Sequence, residues 1–175
     1  DTVEPLLRAT STVEIDATRP LQEVVDTVEA LALGDRAPVR SEAMAMRDAA
    51  CSCGQLRLTA EGDPIRISMC HCLACQRRTG SAFGIQARFP SNRVHVAGRH
   101  SDYVRVSDEG EERTFHFCPD CGATVFYVLA TAPDGVAVPI GAFADPTLPP
   151  PRISVWESRR HPWVALPPAV EHHAD

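Results

Sequence analysis

The sequence carries seven cysteines in three clusters: Cys51-x-Cys53, Cys70-x-Cys72-x-x-Cys75 and Cys118-x-x-Cys121. Thiolates at these spacings are ligands for a borderline-soft ion, zinc above all. In "CPDCG" two residues between the sulfurs let the backbone fold around one metal, and Gly122 relieves the tight turn. In "CSC", read as a strand, both cysteines point to one face and offer their sulfurs to one ion. Cys51, Cys53, Cys118 and Cys121 together complete a structural zinc site that staples the start of a β domain to its middle. Scattered buried thiols are the plainer reading, which two pairs at ligand spacing disfavour. The odd thiol count and the small ring that a Cys51–Cys53 bond would close argue against a disulfide scaffold.

Cys70, Cys72 and Cys75 remain, within "CHCLACQRRTG". Cys70 and Cys72 share a face and Cys75 returns one turn later, so one ion could touch all three. Three protein ligands plus an open position mark a catalytic rather than a structural zinc. His71 or His116 in the fourth place would instead make an inert site, although His71, lying between two ligands, should face the other way. A different partition of the seven thiols into four and three also stays open. An ion already bearing three thiolates is a poor activator of water, yet it still strips the proton from a thiol that binds it. The trio therefore suits a visiting thiol better than a hydrolytic water. Arg77 and Arg78 could compensate the added charge or pair with substrate carboxylates; a solvated arginine face is the bland alternative. Ser81, Thr79 and His71 are weaker candidates for steadying a developing alkoxide, since Ser and Thr there serve equally as turn residues.

These residues must be held by short strands. From Cys51 onward the apolar pattern has period two, in "QLRLTAEG", "PIRISMC", "AFGIQARF", "NRVHVAG", "DYVRVS", "RTFHFC", "GATVFYVLA", "VAVPIGAF" and "RISVWES". Such strands, with Gly, Pro, Asp and Ser between them, predict a mainly β domain whose one helical candidate follows Cys72. Residues 1–48 read as an extension. "TRPLQEVVDTVEALALG" predicts a helix with Thr18 as N-cap, Pro20 in its first turn and Gly34 ending it, followed by a linker. Its apolar stripe of Leu21, Val24, Val25, Val28 and Leu31 must dock on the main domain or on a second copy, giving a homodimer. Residues 49–168 form the β domain and 169–175 a tail with His172 and His173. Trp156 and Trp163 are expected as core or interface anchors.

The 175 residues make one domain with an appendage. A chain of this size buries roughly 70% of its unfolded surface and needs no disulfides to fold. Its 17 basic residues are outnumbered by 23 acidic ones, which argues against nonspecific nucleic-acid binding. All the basic residues are arginine, which removes lysine Schiff-base and lysine-nucleophile chemistry. No apolar run is long enough to span a membrane. The acidic segment before Cys51 reads as neither a signal nor a transit peptide, so a bacterial cytoplasm is expected. The chain begins at Asp1, so its native start is expected upstream or trimmed away, with Met44 or Met46 a natural start for the β domain.

"CSCGQLRL", "CHCLACQRRTGSAF", "FCPDCGATVF" and a Trp near "RRHPWV" resemble the glutathione-dependent formaldehyde-activating enzyme (GFA) family, which includes centromere protein V. The resemblance implies an Mss4-like fold of small coiled β-sheets around zinc. It also implies a structural zinc on Cys51, Cys53, Cys118 and Cys121, and a second, more labile zinc on Cys70, Cys72 and Cys75. The activity it implies joins the thiol of glutathione to formaldehyde, giving S-hydroxymethylglutathione, a carbon–sulfur lyase reaction in reverse. The acidic helical extension departs from that family's pattern. The leading expectation is a zinc-dependent lyase acting on a small-thiol adduct. The alternative is a noncatalytic zinc-binding module serving as a metal reservoir or protein-interaction domain.

Overall fold

The computed structural model describes residues 45–108 and 110–175. The helix expected over 18–34, and the docking expected of it, lie outside the described residues. Eleven strands and one α-helix build the described part, in two sheets. β1 (Met46–Ala50), β2 (Arg57–Glu61) and β5 (Val94–Ala97) form an antiparallel three-stranded sheet in the order β1-β2-β5. The larger sheet contains β3 (Arg66–Cys70), β4 (Gly84–Pro90), β6 (Ser101–Val106), β7 (Glu112–Phe117), β8 (Thr124–Leu129) and β9 (Ala132–Pro139). Adding β10 (Ile153–Val155) and β11 (Glu171–His172) gives the order β11-β10-β3-β4-β9-β8-β7-β6. Helix α1 spans Leu73–Thr79, directly after β3. Among the described residues no helix is long and apolar enough to cross a membrane.

All nine segments of alternating pattern carry strands. Alternation works because one face of each strand is buried and the other is not. Leu58 and Ala60 of β2 pack with Ala87 and Phe89 of β4 and Val136 and Val138 of β9, joining the two sheets in one core. On the opposite face of the large sheet, Phe115, Tyr127, Leu129 and Ala137 form a second buried cluster. The cross-strand pairs Phe115↔Tyr127 and Tyr127↔Ala137 hold it in register.

Three expectations need correction. The extension was expected to run to residue 48, but Met46–Ala50 is β1, paired residue for residue with β2. Its only buried residue is Ala49, so little apolar pattern announces it. The expected tail contains β11, which pairs parallel to β10, and His172 meets Glu157 at 3.0 Å. Backbone hydrogen bonds, which have no side-chain signature, hold this strand. Trp163 is 73% exposed rather than a core residue, and Trp156 is half-buried beneath the Arg159 guanidinium, 4.9 Å from its ring centre.

Candidate functional site

Cys51 and Cys53 lie in the loop joining β1 to β2, and Cys118 and Cys121 in the loop joining β7 to β8. The "CSC" pair is therefore in a turn, not a strand. Gly54, at φ 77°, reverses the chain, and its amide donates to the Cys51 carbonyl at 3.0 Å. Gly122, at φ 75°, plays the matching part, donating to the Cys118 carbonyl at 2.9 Å. These left-handed conformations favour glycine. The four sulfurs lie within 4.8 Å of one another, with Cys51–Cys53 at 3.5 Å and Cys53–Cys118 at 3.6 Å.

Sulfurs held ~2.3 Å from one tetrahedral zinc stand roughly 3.8 Å apart, so these separations fit that ion closely. They are far too long for disulfides. The surroundings also suit thiolates. Leu56 N–H donates to Cys51 Sγ at 3.2 Å, and Gln55 Nε2 donates to Cys118 Sγ at 3.0 Å. Burial pushes the Cys118 thiol up, but the Gln55 amide and the N–H groups of Cys121 and Asp120 outweigh it, bringing its pKa down to about 6. The Gln55 amide is itself fixed at both ends by the backbone of Arg99, at 2.7 and 3.1 Å. Gln55 was not singled out in the sequence; a polar residue two positions after a ligand pair was the only available signal.

The second group is built at the junction of β3 and α1. Cys70 ends β3, Cys72 caps the helix and Cys75 lies in its first turn. Their sulfurs also lie within 4.8 Å of one another, and among the described residues no fourth donor joins them. Cys75 N–H donates to Cys72 Sγ at 3.4 Å. Hydrogen bonds from the Cys70 and Cys75 thiols bring Cys72 down to about 2 against the effect of burial. Cys70, which donates to Cys72 and Cys75 and is itself buried, is raised. Three converging sulfurs with one already predisposed to ionise fit a metal that binds thiolate. Gly84 stands opposite on β4; a Cβ there would touch Cys75 Cβ at 3.4 Å and Arg78 Nη2 at 3.5 Å, so a larger side chain would press into the trio.

Neither expected histidine belongs to this group. His71 is fully buried behind it, with Nε2 3.2 Å from Ser154 Oγ and its ring edge-on to Phe83. Burial holds His71 below the ordinary histidine range, so it is neutral. His116 pairs with Asp102 at 2.7 Å. Thr79 Oγ1 donates to the Cys75 carbonyl at 2.8 Å, and Ser81 N–H donates to Thr79 Oγ1 at 3.3 Å; both are local turn contacts outside the cavity. Gln76, not anticipated, ties α1 to the C-terminal segment: its Nε2 donates to the carbonyls of His71 (2.8 Å) and Arg159 (3.1 Å).

A cavity of about 800 Å³ opens beside Cys72 and Cys75, within the usual size range of small-molecule pockets. Phe115 and Tyr127 form its apolar wall, and Arg77 and Arg78 its cationic one. Arg78 lies over Phe115 and Tyr127, its guanidinium carbon 5.3 and 5.8 Å from the ring centres. Its Nε is buried without a partner. Arg113 is paired with Glu111, and Arg105 and Arg159 share Asp108, whereas no carboxylate among the described residues pairs with Arg77 or Arg78. Burial, reinforced by the charge of Cys75, pushes the Tyr127 phenol up to about 12, so it keeps its proton at neutral pH.

No curated protein matches the chain. A crystal structure of a Rhodobacter sphaeroides protein aligns with 54% of this chain and 85% of its own, at 20% identity and a TM-score of 0.44. Residues 46–159, more than half of the sequence, match the model of the glutathione-dependent formaldehyde-activating enzyme family and span all three cysteine clusters. The chain therefore belongs to the glutathione-dependent formaldehyde-activating enzyme family.

Proposed function

We propose that the chain is a zinc-dependent carbon–sulfur lyase-type enzyme acting on the adduct of a small thiol, S-hydroxymethylglutathione being the leading candidate. The observation that carries this reading is the position of Cys72 and Cys75 at the wall of a cavity that also presents Arg77 and Arg78, neither with a carboxylate partner among the described residues. A thiol-bearing acid fits such a wall, sulfur toward the cysteines and carboxylate toward the guanidiniums. On this reading Cys51, Cys53, Cys118 and Cys121 hold a structural zinc, and Cys70, Cys72 and Cys75 a second one.

Zinc at the second group would draw the proton from a thiol that binds it. The protein residues do the rest. Arg78, stiffened by its two aromatic neighbours, pairs with a substrate carboxylate, and its orphaned Nε leaves it a donor in reserve. Phe115 and Tyr127 exclude water from the apolar side. The protonated Tyr127 hydroxyl is the donor we assign to the oxygen that gains charge as the S–C bond forms and the C=O π bond breaks. In the reverse direction the adduct hydroxyl gives up its proton, which ends on the departing sulfur to restore the thiol, while the S–C bond breaks and the C=O bond re-forms. Tyr127 stays protonated and donates to the oxygen throughout.

The test follows S-hydroxymethylglutathione formation from glutathione and formaldehyde, above the spontaneous rate, for the wild type and for Cys72→Ser. The expected result is acceleration by the wild type and none by the variant. Equal rates, with zinc still bound, would leave the noncatalytic zinc module as the better reading.

A further inference from the structure

A third group of donors converges away from the cysteines. His100 directly precedes β6, Asp102 lies within it, and His116 stands opposite Asp102 in the β6–β7 register. Both imidazole Nδ1 atoms meet the same carboxylate oxygen, Asp102 Oδ1, at 2.8 Å from His100 and 2.7 Å from His116. The ligand atoms of all three residues lie within 4.8 Å of one another.

We propose that His100, Asp102 and His116 bind a divalent first-row transition ion at a site separate from both cysteine centres. The rings are braced for it. His116 stacks on Phe126, with centres 4.2 Å apart and planes 17° apart, and His100 meets His116 edge-on at 4.9 Å and 87°. His100 also packs edge-on against Phe126 at 5.8 Å, so one aromatic ring fixes both imidazoles. Donors roughly 2.1 Å from one ion stand about 3.0–3.4 Å apart, so each imidazole nitrogen needs to draw back from Asp102 Oδ1 by only a few tenths of an ångström to admit it.

Two imidazoles and one carboxylate select zinc, iron, nickel or copper over magnesium or calcium, which prefer all-oxygen sets. The side chains of His100, Asp102 and His116 are 35%, 51% and 14% exposed, so an ion can enter from solvent. Among the described residues no arginine pairs with Asp102; the neighbouring Arg99 is engaged with Asp120 at 2.9 Å. Strand alternation separates this site from the cavity. Tyr103, Arg105, Phe115 and Phe117 line the cavity, so Asp102 and His116, one position away on each strand, face the other side of the ribbon.

The plain alternative is a carboxylate that merely accepts two N–H hydrogen bonds. Adding Co²⁺ to the zinc-loaded full chain separates the two. The expected result is one added equivalent with weak visible d–d absorption and no near-ultraviolet thiolate-to-cobalt charge transfer. In His100→Ala and in Asp102→Asn that equivalent should be weakened by roughly tenfold or more, with the cysteine-bound zinc content unchanged. A His172→Ala/His173→Ala double variant should bind it as the wild type does. Unchanged binding in both His100→Ala and Asp102→Asn would overturn the proposal. So would added cobalt that carries thiolate charge transfer, or loss of the equivalent in the His172/His173 double variant.

Discussion

The four-cysteine and three-cysteine groups set the same donor atom in different surroundings. The first is built from two hairpin turns, one from each sheet, and its cysteines include Cys51 and Cys118 of the main core. Backbone amides and Gln55 cover its sulfurs. The second stands on a single strand–helix junction, beside a cavity where Arg77 and Arg78 have no carboxylate partner among the described residues. On the proposed reading, four thiolates from two sheets would lock the fold together, whereas three from one junction would tie down little that is not already continuous in the chain. On that reading, donor count and the number of elements bridged would separate a structural role from a chemical one.

The largest effect should fall on the first group. Cys118→Ala removes a ligand from the only donor set, among the described residues, that bridges the two sheets. Where a structural metal supplies folding energy outright, losing a ligand abolishes the fold. Circular dichroism on heating should show no cooperative transition. Cys72→Ala should invert that pattern: catalysis falls to the spontaneous background, while stability drops by only about 1–2 kcal/mol, the ordinary range for one buried substitution. A Cys72→Ala chain that unfolds as completely as Cys118→Ala would erase the distinction.

Gly98→Ala comes next, and probes the first group from outside. Gly98 has φ 101°, and a Cβ there would collide with the Gln55 carbonyl oxygen. The strain costs about 1–3 kcal/mol, and relieving it should displace the Gln55 amide from Cys118. Thermal unfolding should shift by roughly 4 °C per kcal/mol, and zinc should leave the four-cysteine group faster under a chelator. Unaltered release kinetics would show that Gln55 contributes nothing to holding the metal.

The cysteine spacings and the period-two strands were legible because ligand geometry and strand burial both act over a few residues. Cys118-x-x-Cys121 needed only its own turn. Cys51 and Cys53 converge with Cys118 and Cys121, but not through the strand face expected of them, since a turn with Gly54 at positive φ converges sulfurs as well as a strand face does. What stayed hidden depends on long-range register. Asp102 and His116 are fourteen positions apart and meet only because β6 pairs with β7 in one alignment. The same alignment moves His116 to the far side of the ribbon from the cavity. β11 was invisible because two residues paired through backbone atoms leave no apolar signature.

The smallest expected effect tests the chemical half of the comparison. Arg78→Lys keeps the charge at the cavity wall but loses the planar fork that lies over Phe115 and Tyr127. An ammonium is more strongly hydrated and cannot stack in the same way, so the substitution is not conservative at such a site. The loss should be about 1 kcal/mol, or roughly fivefold, and should appear in KM rather than kcat. That split follows because a carboxylate remote from the reacting carbon is bound equally in the ground and transition states. Thermal stability should hardly change, since Arg78 has no ion-pair partner among the described residues to lose. A fall in kcat at constant KM would instead place Arg78 in contact with the reacting atoms, and would make the arginine wall part of the chemistry rather than its anchor.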